Sequence, residues 1–222
     1  MPFSPLVERA AEIAAEWHDG TYRKGRWTEP VLPAPEADGG STPPRIPAMA
    51  HVTTVAMTVA RAGWSEETIA AAFLHDALED RDRHARVLAR DRLIALVGEP
   101  VVRLVEAVSE PKADASGAFL PWRTRKEAYL IALRPGPPEA AAISLSDKLH
   151  NAYAMASSLE AGIDIFTSAP GRKALSAGPE DQLWFFRAVQ RATAHHEDAR
   201  LGEIRARLAS EVNRFAHVAG VG

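Results

Sequence analysis

Apolar residues recur at three- and four-residue spacing along most of the chain, which is the pattern of amphipathic helices. The first such run extends from Leu6 to about Asp19, and Ser4 with Pro5 just before it predicts a capped helix start. We find no segment with the convincing period-two alternation of a β-strand. The pattern therefore predicts an all-α fold, with residues 1–222 in one domain.

Glycine and proline positions divide the rest of the apolar pattern into further helices. These are predicted from Pro47 to near Gly63, from Ser65 to Asp80, on both sides of the break at Gly98-Glu99-Pro100, over Trp122 to Leu133, from Glu139 onward, and as two C-terminal helices at about 179–216. The segments 22–26 and 109–121 are predicted to be loops. Residues 28–47 are rich in proline and glycine and predict an insertion, either a functional loop or a disordered segment.

Composition and charge narrow the possible functions. The chain has 26 Lys and Arg against 29 Asp and Glu, a net charge of −3, which gives no overall basic surface for nucleic acid. The absence of cysteine excludes thiolate ligands, disulfides and cysteine nucleophiles, and fits a reducing compartment. No stretch approaches the ~20 apolar residues of a membrane span. We therefore expect a cytoplasmic protein without nucleic-acid or membrane partners, whose oligomeric state the sequence leaves open.

The stretch from Ile69 to Asp80, IAAAFLHDALED, places four ionisable side chains directly after an apolar run. On a helix, His75 would lie over Glu79 and Asp76 over Asp80, so the four would share one face. Imidazole and carboxylate together suit a divalent metal such as manganese, iron or zinc. The stretch alone fits equally well a buried histidine paired with a neighbouring carboxylate.

Other segments carry polar groups that could complete a site. His51 lies on the predicted helix before this stretch, and Asp147 and Asn151 share a strip of the long later helix. His150 could reach a phosphate, but a partly buried histidine that supports other groups is the more frequent case. Three further cations, Arg123, Arg125 and Lys126, are predicted on the polar side of the 122–133 helix.

Tyr22-Arg23-Lys24-Gly25-Arg26 places three cations beside an aromatic ring. The simpler interpretation is solvated charge, and the functional alternative is a grip on phosphate or a stacking surface for a base.

His51, His75-Asp76 and Asp147, in this order, resemble the ligand motif of the HD superfamily of metal-dependent phosphohydrolases. FLHDALED and LSDKLHNAYAM are similar to two phrases of the RelA/SpoT hydrolase domain, and TYRKG is similar to the Arg-Lys phrase before its first histidine. These phrases cover about residues 5–160. LWFFR looks like the tail of compact single-domain members, among them the metazoan SpoT homologue. The resemblance implies a compact multi-helix HD-domain bundle that acts without a synthetase domain.

The resemblance also implies a role for each matching residue. His51, His75, Asp76 and Asp147 would bind one divalent metal, usually Mn²⁺ in this family, with Zn²⁺, Fe²⁺ or Co²⁺ as alternatives. Glu79 and Asp80 would match the catalytic acidic pair that positions and deprotonates the attacking water. The positions that contact substrate would be Arg23, Lys24 and Asn151.

Two features depart from the family pattern. The family has a short link between the Arg-Lys pair and the first histidine, whereas here position 24 is separated from position 51 by 27 positions. Val52 stands where the family has proline. The metal ligands lie on predicted helices and should not be affected, so the insertion bears mainly on where Arg23 and Lys24 point.

The resulting hypothesis is a hydrolase of a small-molecule nucleotide that removes the 3'-pyrophosphate of (p)ppGpp. One alternative keeps the site but changes the substrate, to NADPH with loss of its 2'-phosphate or to a nucleoside monophosphate. Another is a nucleotide sensor without turnover, which Glu79 and Asp80 argue against because a simple binder gains little from two carboxylates beside phosphate.

Overall fold

The computed structural model describes residues 3–27, 45–114, 116–169 and 173–222. Its helices are α1 (Pro5–Trp17), α2 (Ala48–Arg61), α3 (Glu66–Leu74), α4 (Arg90–Val97), α5 (Glu99–Ala107), α6 (Trp122–Leu133), α7 (Pro138–Glu160), α8 (Pro179–Ala192) and α9 (Leu201–Ala219). These helices confirm the predicted all-α class. Within the described ranges, no helix is long and apolar enough to cross a membrane.

Two helix starts follow directly from serine residues. The Ser4 hydroxyl accepts the backbone N–H of Val7 at 3.3 Å, and the Ser65 hydroxyl accepts that of Thr68 at 3.4 Å. Ser4 also donates to a Glu66 carboxylate oxygen at 2.6 Å, so the amino-terminal ends of α1 and α3 are tied together. The two helices pack along each other.

The prediction that the chain has no strand is wrong, and so is the prediction of a loop at 22–26. Strand β1 (Tyr22–Trp27) pairs antiparallel with β2 (Arg45–Pro47). The sequence of β1 has no apolar alternation, because a short two-stranded ribbon is held by backbone hydrogen bonds rather than by a buried face. The predicted insertion at 28–47 ends in β2, and its residues 28–44 lie outside the described residues.

Helix α7 lies at the centre of the bundle and packs against α2, α3, α5, α8 and α9. Every residue from 140 to 148 is buried, so this part of the helix is enclosed on all sides. Small alanines at 140–142 allow neighbouring helices to approach closely. The polar residues that follow them, Asp147 and Lys148, are therefore held in the interior, where they require partners.

The predicted continuation of the third helix to Asp80 is wrong. Helix α3 ends at Leu74, His75 is its C-terminal cap, and residues 75–79 form turns. The backbone N–H of Asp80 still donates to the carbonyl of Asp76 at 2.9 Å, and that of Ala77 to Leu74 at 2.9 Å. At this helix end the His75 ring contacts the carbonyl of Ala72, and His75 and Asp76 lie near Asp147 on α7 and His51 on α2.

Candidate metal centre and substrate cavity

The side chains of His51, His75, Asp76 and Asp147 converge from α2, the end of α3 and α7. His51 Nε2 lies 3.0 Å from Asp147 Oδ1 and 3.8 Å from Asp76 Oδ2. His75 Nε2 lies 3.4 Å from Asp76 Oδ2 and 3.9 Å from Asp147 Oδ1. Ligand atoms of His51, His75 and Asp147 all lie within 4.8 Å of one another.

This set of atoms fits a divalent metal. His75 Nδ1 lies 2.8 Å from the carbonyl of Ala72, which can only accept, so in the neutral ring this nitrogen carries the hydrogen and Nε2 carries a lone pair. His75 Nε2 is buried without a hydrogen-bond partner in the described part of the chain. Two imidazole nitrogens with carboxylate oxygens form the mixed ligand set that transition metals and zinc prefer.

The charge state of His51 also suits a ligand. Burial, reinforced by the nearby Arg23 guanidinium, lowers the pKa of His51 to about 3, so the ring is neutral at physiological pH. A neutral ring is required because metal and proton compete for the same lone pair. Its other nitrogen, Nδ1, lies 2.7 Å from Nδ1 of His150, and the two rings are nearly coplanar, with their centroids 5.0 Å apart.

Asp147 is held by contacts on both of its oxygens. Asn151 donates to Oδ1 at 2.6 Å, and Lys148 donates to Oδ2. Burial would raise the pKa of the Asp147 carboxyl, but Lys148 and His51 outweigh burial and keep the pKa well below its usual range. Asp147 is therefore an anion at all physiological pH values and can neutralise part of the charge of a cation.

Glu79 and Asp80 both line the cavity beside these four residues. The Glu79 carboxylate accepts the backbone N–H of Glu110 at 2.8 Å and pairs with Lys112 Nζ at 2.8 Å. Burial raises the pKa of Glu79 to about 7 although Lys112 opposes the change. A carboxyl group with that pKa can take up and release a proton near neutral pH.

Arg23 and Asn151 lie together beside Asp147. A guanidinium nitrogen of Arg23, on β1, donates to Oδ1 of Asn151, on α7. Nε of Arg23 is buried and has no hydrogen-bond partner among the described residues. Burial lowers the pKa of Arg23, although Asp147 and Asp76 oppose this effect. The side chain of Lys24 lies outside the described part of the structure.

The cavity has a volume of about 260 Å³ and contains a second group of charges that the sequence pattern did not predict there. Glu110 is buried at its centre and pairs with Lys112 at 3.1 Å, with Lys126 at 2.6 Å and with Arg125. Arg125 is itself buried, so the predicted polar, solvent-facing side of α6 is wrong for this residue. Lys126 and Lys148 also line the cavity.

Carboxylate partners and aromatic rings together offset the burial of these lysines, which pair with Asp147 and Glu110. Lys148 Nζ lies 5.0 Å from the ring centre of Tyr129 and 5.2 Å from that of Phe185, and Lys126 Nζ lies 4.7 Å from the same Phe185 ring. The sequence does indicate that Lys148 lies inside, because this lysine directly follows an aspartate within the apolar run of α7. No local pattern marks Lys112 or Lys126, because their partner Glu110 lies on a loop.

The model of the HD-domain family matches residues 31–166, which is more than half of the chain and includes all four converging residues. A GTP pyrophosphokinase of Streptomyces coelicolor is 28% identical over 149 residues, which is 67% of this chain but 14% of that relative. The chain thus spans about one seventh of the length of that protein.

Two solved structures share the fold. The crystal structure of lmo0812 from Listeria monocytogenes EGD-e superposes with a TM-score of 0.61 at 24% identity, covering 76% of this chain and 97% of that one. A metazoan orthologue of SpoT, described as hydrolysing ppGpp and acting in starvation responses, has a TM-score of 0.61 at 20% identity and covers 100% of this chain and 99% of its own. At these identities the likeness concerns the fold. By the match to its family model, the chain is a member of the HD-domain family.

Proposed function

We propose that this protein is a metal-dependent phosphohydrolase that removes the 3'-pyrophosphate of (p)ppGpp. The observation that carries the proposal is one cavity that combines a converging His and Asp ligand set, two further carboxylates and several buried or partly buried cations. The relation to a GTP pyrophosphokinase and the fold shared with a ppGpp-hydrolysing protein support the choice of substrate.

In this proposal His51, His75, Asp76 and Asp147 hold one divalent metal, with Mn²⁺ as the first choice because of the family. Such an ion would lower the pKa of a water molecule and neutralise phosphate charge. Asp147 already balances Lys148, and Asp76 is the more exposed of the two carboxylates, with 31% of its side chain accessible against 10%. Asp76 is therefore better placed to exchange its contacts when the cation arrives.

Glu79 is the residue proposed to accept the proton of the attacking water. It lies on the turn immediately after the ligands, and the backbone N–H of Glu110 fixes one of its oxygens. Asp80, on the same turn, is proposed to orient the water. These two roles suit the reaction, since phosphoryl transfer depends mainly on positioning and on charge stabilisation.

The cations that line the cavity are proposed to hold the phosphates of the substrate. Arg23, Lys24 and Asn151 would contact one part of the nucleotide, and Arg23 can offer the Nε donor that now has no partner in the described structure. Lys112 is the most accessible cation of the Glu110 group, with 36% of its side chain exposed. Because Arg125 and Lys126 also neutralise Glu110, Lys112 can turn to a phosphate without leaving that carboxylate unpaired.

The test is a product screen by mass spectrometry with purified protein and Mn²⁺. The panel contains ppGpp, pppGpp, NADPH and nucleoside monophosphates, each with and without EDTA. The proposal predicts GDP and pyrophosphate from ppGpp, with no turnover in EDTA.

Intact ppGpp together with hydrolysis of NADPH or a monophosphate would reject the substrate but retain the phosphohydrolase. Binding of nucleotide without turnover of any compound would point to a sensor. Failure of the wild-type protein to bind a divalent metal would reject the proposal as a whole.

A further inference from the structure

Helix α7 contributes to the candidate metal centre through more than its ligand. Asp147 supplies a carboxylate, and Asn151, one turn later, donates to it. Between them, His150 points to a different partner, the His51 ring on α2. One turn of α7 therefore carries one proposed ligand and contacts a second.

The contact between the two histidines is specific in its atoms. Nδ1 of His51 and Nδ1 of His150 lie 2.7 Å apart, which is a full hydrogen bond. Neither nitrogen can donate unless the other accepts, so the pair shares a single hydrogen. The location of that hydrogen decides whether His51 presents a lone pair or an N–H at Nε2, where it faces Asp147.

From this geometry we propose that His150 is a positioning residue, which accepts the Nδ1 hydrogen of His51 and so directs the lone pair of His51 Nε2 into the metal centre. The inference rests on the proposed metal site. His75 obtains the same orientation from the main-chain carbonyl of Ala72. His51 instead depends on a side chain that can be replaced.

Two arrangements of hydrogens are compatible with the distances. Without metal, His51 Nε2–H can donate to Asp147 Oδ1 at 3.0 Å while His51 Nδ1 accepts from His150. With metal, His51 carries its hydrogen on Nδ1 and His150 carries its own on Nε2. Between the two states, His150 Nδ1 passes its proton to His51 Nδ1. His51 Nε2 releases one proton to solvent, and His150 Nε2 takes up one proton from solvent. Both rings remain neutral.

The orientation of the two rings suits this bond. Their centroids lie 5.0 Å apart with an angle of 19° between the rings, so the rings are nearly coplanar and meet edge to edge at the two Nδ1 atoms. Replacement by phenylalanine would keep an aromatic ring but remove the acceptor. Replacement by asparagine would restore a hydrogen-bonding group near the position of Nδ1.

The test measures Zn²⁺ affinity by competition with a chromophoric chelator, in the full chain with native circular dichroism. We expect His150→Phe to weaken binding about 10- to 100-fold, as for other groups that orient a metal-bound histidine. His150→Asn should recover most of the loss, and His217→Phe on the surface of α9 should have no effect. Wild-type affinity in His150→Phe would overturn the inference while leaving the proposed function intact, whereas no binding by the wild type would reject both.

A second measurement does not depend on a variant. Two-bond ¹H–¹⁵N correlation spectra distinguish a protonated from an unprotonated ring nitrogen. In the Zn²⁺-loaded wild type we expect a protonated Nδ1 on His51 and an unprotonated Nδ1 on His150. The opposite assignment would contradict the proposal.

Discussion

Asp147 illustrates what a single residue reveals in the sequence and what it does not. Its position after an apolar run, with Asn151 four residues later, is enough to mark it as a candidate ligand. Its contact with His51 could not be recognised from spacing alone, because that histidine lies on another helix. Lys148, its other partner, is adjacent in sequence inside the same apolar run, which is a usable signal, although the inward direction of this lysine depends on the enclosure of α7.

Glu79→Gln and Asp80→Asn should each lower kcat by on the order of 100-fold or more, because each removes a group proposed to orient or deprotonate water. Nucleotide affinity should change much less, since neither substitution removes a cation. The measurements are kcat with the best substrate of the panel and Kd by calorimetry. Glu203→Gln, an exposed carboxylate on α9, serves as the matched control, and unchanged kcat in both site variants would contradict their catalytic roles.

At the scale of elements, one helix that is bounded by prolines on both sides was predictable to the residue. Helix α6 begins after Pro121 and ends before the cluster at 134–138, as predicted. The strand β1 was not predictable, because its partner β2 is separated from it in sequence and gives no local signal. The end of α3 at Leu74 escaped prediction for a related reason. No glycine or proline lies at this end, so the sequence has no local stop signal there.

The loop after α5 is joined to α6 by Glu110 and its cations. Burial would raise the pKa of Glu110, but Lys126 and Lys112 outweigh burial and lower it to about 2. Since the folded-state pKa lies below the ordinary value of 4.5, the ionised carboxylate adds stability at neutral pH. That contribution disappears as the pH falls from about 4.5 towards about 2.

Glu110→Gln should therefore destabilise the protein by about 3 kcal/mol at pH 7, because it leaves Arg125 and Lys126 without their buried counter-ion. The difference from wild type should shrink as the pH falls below about 4. Urea unfolding in EDTA at several pH values measures both effects. A difference that is constant over this pH range would show that the lost charge is not its cause.

Helix α9 packs against α8 and the segment after α7 through a buried aromatic contact. Phe215 is fully buried, with its ring 5.7 Å from that of Phe186 and 6.4 Å from that of Phe166. Phe215→Ala should cost about 3–5 kcal/mol in the free energy of unfolding, and Phe215→Leu much less, because only the first leaves a large cavity. Equal losses in both variants by urea unfolding would rule out the cavity as the cause.

At the scale of the whole molecule, the candidate metal centre joins three separate helices, α2, α3 and α7. A metal that binds only the folded state stabilises it by about 2.7 kcal/mol when its free concentration is 100 times Kd. We expect Mn²⁺ to raise the free energy of unfolding by that amount relative to EDTA. The same addition should have little effect on His51→Ala, and an equal gain in that variant would place the metal elsewhere.

The distance in sequence between His51 and Asp147 has a consequence for the order in which the protein can assemble. Contacts between residues so far apart form late, because a long loop must first close at a cost in conformational entropy. A growing chain that ends before α7 would have two histidines and one aspartate of the centre but not the enclosure that fixes them. Metal capture should thus mark the completion of folding and not its beginning, so a metal-sensitive signal in refolding should appear only with the final phase.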